Sequence, residues 1–348
     1  MIQALERTGD LIQAMLDVLG GLPNITDCYV TWHGVHSRNS STTTNPIIST
    51  VFHSNLRKLS LEVSLENMAN LQLPSLQVQN LEELQICIRS ENGKSVSERK
   101  DILSYHLAPA IRKLSTLRTF SVELWEPEDL SPLFLAIGIL PELMEFVVCI
   151  PAESTHFGDP KGLSYFLNQH SLTLQTLRLR ARSDDKTVLW GNSTSFDAWI
   201  KGAIEGVALP HLLTLDVSSQ HFPVDTSAAV LHSFSSTLTS LSLTGCYQKF
   251  EDVEKIVRMV SSYPRGQPLS NLRLGVISLS PQLIDLIAAQ LPKLHKLELI
   301  VRHILPHRTD KPVFLDMLPS KGQQPDQIVS VGYIPTSKTN SAITKPIY

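Results

Sequence analysis

"LTSLSLTGC", residues 238–246, spaces its leucines three and then two apart, at Leu238, Leu241 and Leu243, ahead of Cys246. An amphipathic helix asks for three-and-four spacing and a half-buried strand for strict alternation. The phrase fits neither template alone. Its meaning comes from its recurrence: the same apolar triplet occurs at Ile25–Cys28–Val30, Leu56–Leu59–Leu61, Leu81–Leu84–Ile86 and Leu117–Phe120–Val122. It returns at Leu143–Phe146–Val148, Leu174–Leu177–Leu179, Leu212–Leu215–Val217, Leu269–Leu272–Leu274 and Leu294–Leu297–Leu299. From Ile25 to Leu294 there are 269 residues and nine intervals, a mean period of about 30. Self-similarity at such a period marks an array of supersecondary units.

Between triplets lie segments with helical spacing: "LIQAMLDVLGGL" (11–22), "ILSYHLAPAIRKL" (102–114), "LSPLFLAIGIL" (130–140), "FDAWIKGAIEGV" (196–207), "VEKIVRMVSSY" (253–263) and "LIDLIAAQL" (283–291). Each reads as a short amphipathic helix. Several stop at Pro or Gly just before the next triplet, as in "GGLPNI", "ILPEL", "ALPHL" and "QLPKL", and Pro and Gly are helix terminators. The predicted unit is therefore helix, stop, strand.

These triplets resemble the leucine-rich-repeat family. The resemblance implies an α/β solenoid, a horseshoe with parallel strands on the concave face and helices on the convex face. A single unit cannot cover its own apolar edge, so stacked units share one core. The chain departs from the family at the eighth residue after the first leucine, where Asn or Cys is expected. Cys246 complies, whereas His33, Ser64, Arg89, Trp125, Pro151, Arg182, Gln220, Ile277 and Arg302 do not. The expected organisation is a capping helix over 1–21, an array of about ten irregular repeats over 22–302, a C-terminal cap over 303–334 and a flexible tail over 335–348. "PAESTHFGDPKG" (151–162) and "RARSDDKTVLWGNSTS" (180–195) read as longer breaks.

Composition narrows the function classes. Hydrophobic residues make up 42% of the chain and charged residues 18%, the balance of a core-forming protein. A net charge of -3 and a pI near 6.5 leave no basic footprint for nucleic acid or an anionic membrane. No uncharged run approaches the roughly 18 apolar residues of a membrane span, and the opening segment lacks a signal-peptide pattern. The expectation is a cytoplasmic or nuclear protein whose Cys28, Cys87, Cys149 and Cys246 are reduced thiols.

No constellation for chemistry emerges. "NGKS" (92–95) ends like a phosphate loop, but that motif needs Gly at 88, where Ile stands. Cys28, His33, His36, His303 and His307 lack the clustering of a metal site. No cofactor, metal or catalytic residue is expected, and the reading is not an enzyme. What remains is a surface, because strand alternation aims the residues between triplet positions away from the core. On that surface Arg178, Arg180 and Arg182, with Trp190 in the following loop, Asp216 and Arg273 are the candidate protein-contact residues, since Arg and Trp are enriched at interface hot spots.

The irregular period and phrases such as "LPNI", "LPEL" and "LSNLRL" resemble fungal F-box proteins with leucine-rich repeats. That resemblance implies a protein-protein interaction scaffold, the substrate-recognition part of a ubiquitin ligase receptor. A Skp1–cullin partner is implied only if an F-box lies upstream or in cryptic form, since none is recognisable here. The alternatives are a RanGAP-like regulator of a small GTPase, a branch with regular Asn-bearing turns and an acidic tail that this chain lacks, or a repeat-only binding module.

Overall fold

The computed structural model describes residues 24–32, 55–68, 80–89, 95–151, 158–182, 194–218, 237–262, 268–304 and 327–332, with isolated positions between them. All ten triplets become strands of one sheet, in chain order. These are β1 (Asp27–Trp32), β2 (Lys58–Ser64), β3 (Glu83–Arg89), β4 (Thr119–Leu124) and β5 (Glu145–Pro151). They continue as β6 (Thr176–Arg182), β7 (Thr214–Ser218), β8 (Ser240–Gln248), β9 (Asn271–Leu279) and β10 (Lys296–Ile304). Every neighbouring pair among these ten is parallel. The fold is thus α/β, built on a parallel sheet with helices in the described connections between strands.

The helices bounded within the described residues are α1 (Leu65–Met68), α2 (Val96–Asp101), α3 (Ala108–Arg112), α4 (Ser131–Ile137), α5 (Pro160–Gln169), α6 (Thr194–Ile204), α7 (Phe250–Ser261) and α8 (Pro281–Gln290). A π-helical stretch, Ile102–Leu107, joins α2 to α3. Two starts differ from expectation. Helix α5 begins at Pro160, inside a segment read as a break, because Asp159 caps it through Lys161 N–H at 2.9 Å and proline suits its first turn. Helix α2 begins at Val96, inside the polar run "IRSENGKSVSERKD" (88–101) that reads as a loop ahead of a helix, because Ser95 and Glu98 form a reciprocal capping box. Of the segment expected to cap the N-terminus, Ala14 and Val18 are helical; the rest of 1–21 and all of 335–348 lie outside the described residues.

The register explains why the triplet is read so regularly. The second triplet positions align from Cys28–Leu59–Leu84 through Phe120, Phe146, Leu177, Leu215, Leu241 and Leu272 to Leu297. A one-residue slip would turn every apolar side chain to the other face, so burial fixes the register. The first position lies just before each strand, and there the chain enters the sheet by a repeated device. The carbonyls of Thr26, Arg57, Glu82, Arg118, Met144, Gln175, Leu213, Thr239 and Ser270 each accept two successive N–H groups from the next repeat. The register breaks between Leu243 and Gln248, which is the part of the opening phrase that carried Cys246.

Strand and helix residues share one apolar core. At its centre Phe120, Phe134, Phe146 and Phe166 are fully buried. Phe166 on α5 lies with its ring centre 4.7 Å from Phe146, 5.5 Å from Phe134 and 6.3 Å from Phe120, bridging α4, β4 and β5. His170 closes this cluster, buried and 4.3 Å from the Phe166 ring. Its Nδ1–H donates to the Phe166 carbonyl at 2.7 Å and Nε2 accepts from Leu140 N–H at 2.9 Å. Those roles require the neutral ring, and burial lowers its pKa. Helices α4 and α5 touch closely enough that a Cβ on Gly162 would lie 2.6 Å from Ser131 Cα.

At the C-terminal edge Gln327–Gly332 forms β11, antiparallel to β10. The segment 303–334 thus contributes a strand that the triplet pattern, which carries no signal for it, did not reveal.

Candidate protein-binding face

Alternation leaves one face of the sheet outside the helix layer. The register arranges it in rows, one of which runs Tyr29, Ser60, Gln85, Ser121, Val147, Arg178, Asp216, Ser242, Arg273, Glu298. Neighbouring repeats exchange charge along and across these rows. Arg178 on β6 reaches back to Glu145 on β5 at 3.0 Å, while Arg180, two residues along, reaches forward to Asp216 on β7 at 2.7 Å. Arg273 meets Glu298, its register partner on β10, at 3.0 Å. Lys58 meets Glu83, likewise its register partner, at 2.8 Å; that carboxylate accepts from the ammonium and holds its pKa above the ordinary value.

A pair exposed on both sides, such as Lys58–Glu83, contributes only about 0–1 kcal/mol to stability. The consequence of these pairs is orientation. The side chains of Arg178 and Arg180 remain 38% and 40% exposed, so each guanidinium is held by an acid on one side and open on the other. Asp216 is itself 7% exposed and lies against Arg180. Arg182 aligns by backbone with Pro151 on β5. Its side chain and Trp190 lie outside the described residues, so four of the six expected contact residues have a geometry: Arg178, Arg180 and Asp216 together, and Arg273 two strands further on beyond Ser242.

A second cluster on this face went unseen in the sequence. Glu62 on β2 accepts from Arg89 Nε at 2.9 Å and Nη2 at 2.7 Å, and from the Tyr29 hydroxyl at 2.8 Å. The Arg89 guanidinium stacks 3.9 Å from the centre of the Trp125 ring, a cation–π geometry. Trp125 Nε1–H in turn donates to Cys87 Sγ at 2.6 Å. Burial pushes the Cys87 thiol up to about 11, while the Trp125 hydrogen bond works in the opposite direction. Arg89 and Trp125 occupy the very position where the repeat family expects Asn or Cys. The signal was therefore present, as paired departures in successive repeats.

At the strand-entry rim a cavity of about 690 Å³ is lined by Met144, Leu172, Pro210 and Leu213, with Arg118 and Glu142 at its edge. Here the repeat supplies its own carbonyl partners: Thr116 Oγ1 donates to Leu81 O at 3.0 Å and Thr237 Oγ1 to Leu212 O at 2.7 Å. These threonines stand immediately before the first triplet leucine, whereas the family places its turn-satisfying residue eight positions after it. Arg118 Nε lies 3.4 Å from Glu142 Oε2 at this rim.

Among the described residues no group of three or more His, Cys, Asp or Glu could hold a metal ion, and no helix is long and apolar enough to cross a membrane. Among the described residues Cys28, Cys87 and Cys149 form no disulfide. Ser95, the last residue of "NGKS", caps α2.

No protein-family model matches the chain, and no curated protein matches it in sequence. Among solved structures it is similar to a chain of the Rad7 and Elc1 complex in yeast, at 12% identity and a TM-score of 0.36, over 89% of this chain and 93% of that one.

Proposed function

We propose that the chain is a non-catalytic protein-recognition scaffold, a leucine-rich-repeat array whose open sheet face holds a partner protein. The observation that carries this reading is the set of three ion pairs across β5–β10, Glu145–Arg178, Arg180–Asp216 and Arg273–Glu298, each joining neighbouring strands of the open face. Preorganised side chains lose less freedom on association than mobile ones, and arginine is a favoured interface anchor. In a repeat arc this face lies in the concavity, where neighbouring units build an extended contact surface. The sequence resemblance to F-box proteins extends the reading to the substrate-recognition part of a ubiquitin ligase receptor, acting in the cytoplasm or nucleus.

The test is affinity purification of the tagged chain from its host, beside a variant carrying Arg178→Glu and Arg180→Glu, with mass spectrometry of what is retained. The reading predicts a partner protein retained by the parent chain and reduced about tenfold, roughly 1.4 kcal/mol, by the folded variant. Equal recovery of the same proteins on both forms would refute the assignment of this face. Stoichiometric Skp1 and cullin would support the receptor reading, and a Ran-type GTPase would replace it with the regulator.

A further inference from the structure

The two edges of the sheet are finished differently. At the C-terminal edge β11 adds antiparallel to β10. At the other edge β1 pairs, among the described residues, with β2 alone. Among the described residues this repeat is also the least buried: Ile25, Cys28 and Val30 are each partly exposed, while all three triplet residues are buried in each of the other nine repeats. Tyr29 is 66% exposed. The strand, "DCYVTW", contains no Pro or Lys and no bulge, the devices that usually blunt an exposed edge.

The ladder shows which backbone groups are on offer. Lys58 N–H donates to Thr26 O at 2.9 Å, so in a parallel pair Cys28 and Val30 also direct their backbone groups to β2. Asp27, Tyr29 and Thr31 direct theirs outward.

We propose that β1 pairs antiparallel with β1 of a second copy, about a two-fold axis through Tyr29. In that register Tyr29 faces Tyr29 of the second copy, and Asp27 faces its Thr31, all as hydrogen-bonded pairs using the outward-directed groups. No like charges oppose one another, because Asp27, the only charged residue of β1, meets a hydroxyl. On the core face Cys28 lies opposite Val30 of the second copy, and the two partly exposed residues cover one another. The pairing is isologous and closes at two copies, leaving no growing edge. A one-residue shift of the axis breaks this, since it would pair the inward-directed Val30 with itself. The proposal is independent of the partner-binding role of the face across β5–β10.

Light scattering coupled to size exclusion tests it, over roughly a hundredfold range of concentration. The expected mass at the upper end is twice the 38.7 kDa of the chain. Tyr29→Pro removes an N–H that points away from β2, so it blocks the edge without breaking the internal ladder. Tyr29→Lys places two ammonium groups across the axis and serves if the proline variant fails to fold. Either variant, with unchanged circular dichroism, is expected to run at the monomer mass at all concentrations.

A second measurement fixes the register. In a Cys28→Ala background, Tyr29→Cys puts sulfurs on residues about 5.5 Å apart, within disulfide reach. A disulfide-linked dimer is expected under mild oxidation, and none from Ser60→Cys one strand inward. A parent chain that stays monomeric throughout overturns the proposal and leaves the edge to an extended segment of another protein. A dimer that survives both folded Tyr29 variants overturns it equally.

Discussion

Replacing Phe166 by alanine tests the claim that one aromatic cluster ties three successive repeats together. The ring is fully buried and has Phe120, Phe134, Phe146 and His170 around it at 4.3–6.3 Å between ring centres. A buried Phe→Ala change costs about 3–5 kcal/mol, the transfer free energy of the ring plus that of the cavity left behind. Aromatic pairs add about 0.5–1.5 kcal/mol beyond area burial, and Phe166 loses several such neighbours. The surrounding side chains come from α4, β4 and β5, which backbone hydrogen bonds hold in register, so collapse into the hole is limited. The expected loss is therefore in the upper half of the range, about 4–5 kcal/mol, a large part of the roughly 5–15 kcal/mol typical of a folded domain. Phe166→Leu keeps most of the volume and is expected to cost about 1.5 kcal/mol or less. Urea unfolding followed by circular dichroism at neutral pH measures both, with the exposed Leu135→Ala on α4 as control, expected within about 0.5 kcal/mol of the parent. A Phe166→Ala cost below about 1.5 kcal/mol, or equal costs for Ala and Leu, would show that the cluster does not couple these repeats.

Acid should weaken the same region. Because His170 is held neutral, the unfolded chain binds the extra proton; stability is full above the ordinary histidine pKa of about 6.5 and falls as pH drops below it, by up to about 1.4 kcal/mol per pH unit. Urea midpoints at stepped pH should show that slope, and His170→Gln should flatten it. Gly162→Ala is expected to cost about 2–3 kcal/mol, since its Cβ would meet Ser131 backbone and side chain, whereas Gly206→Ala, with open space but φ +75, should cost only about 1 kcal/mol of backbone strain; thermal melts separate the two. Arg180→Ala should cost about 1–3 kcal/mol as well as weakening partner retention, because Asp216, 7% exposed, loses the guanidinium that pairs with it; urea midpoints read the cost. The Cys87 thiol should label slowly at mildly alkaline pH, its rate rising toward pH 11, and Trp125→Phe should move that rise to higher pH by removing the hydrogen bond that lowers it. A pH–rate series with a thiol reagent reads this directly.

The triplets were legible because burial and alternation reinforce one another: a residue such as Leu84 must face the helices, and its neighbours Glu83 and Gln85 must then face away. The outward rows follow from the same logic, including Arg178, Asp216 and Arg273. What the sequence did not show are contacts between repeats. Glu62, Arg89 and Trp125 are separated by 27 residues and more along the chain, and only the register brings them together. Similarly, Phe134, Phe146 and Phe166 read as ordinary apolar positions until helix packing joins them, and His170 carries no local sign of burial. Strand β11 escaped because its pairing is antiparallel and outside the repeat. Arg89 and Trp125 stand at one repeat position in successive repeats, and two large polar or aromatic residues so placed are the local sign of the stack.

Arginine-directed labelling with phenylglyoxal, read by mass spectrometry with and without the captured partner, tests the assignment of the open face most directly. Protection of Arg178, Arg180 and Arg273, with Arg57 and Arg118 at the strand-entry rim labelled as before, is the predicted result. Protection of the rim arginines with Arg178 and Arg180 unchanged would place the partner elsewhere and contradict it.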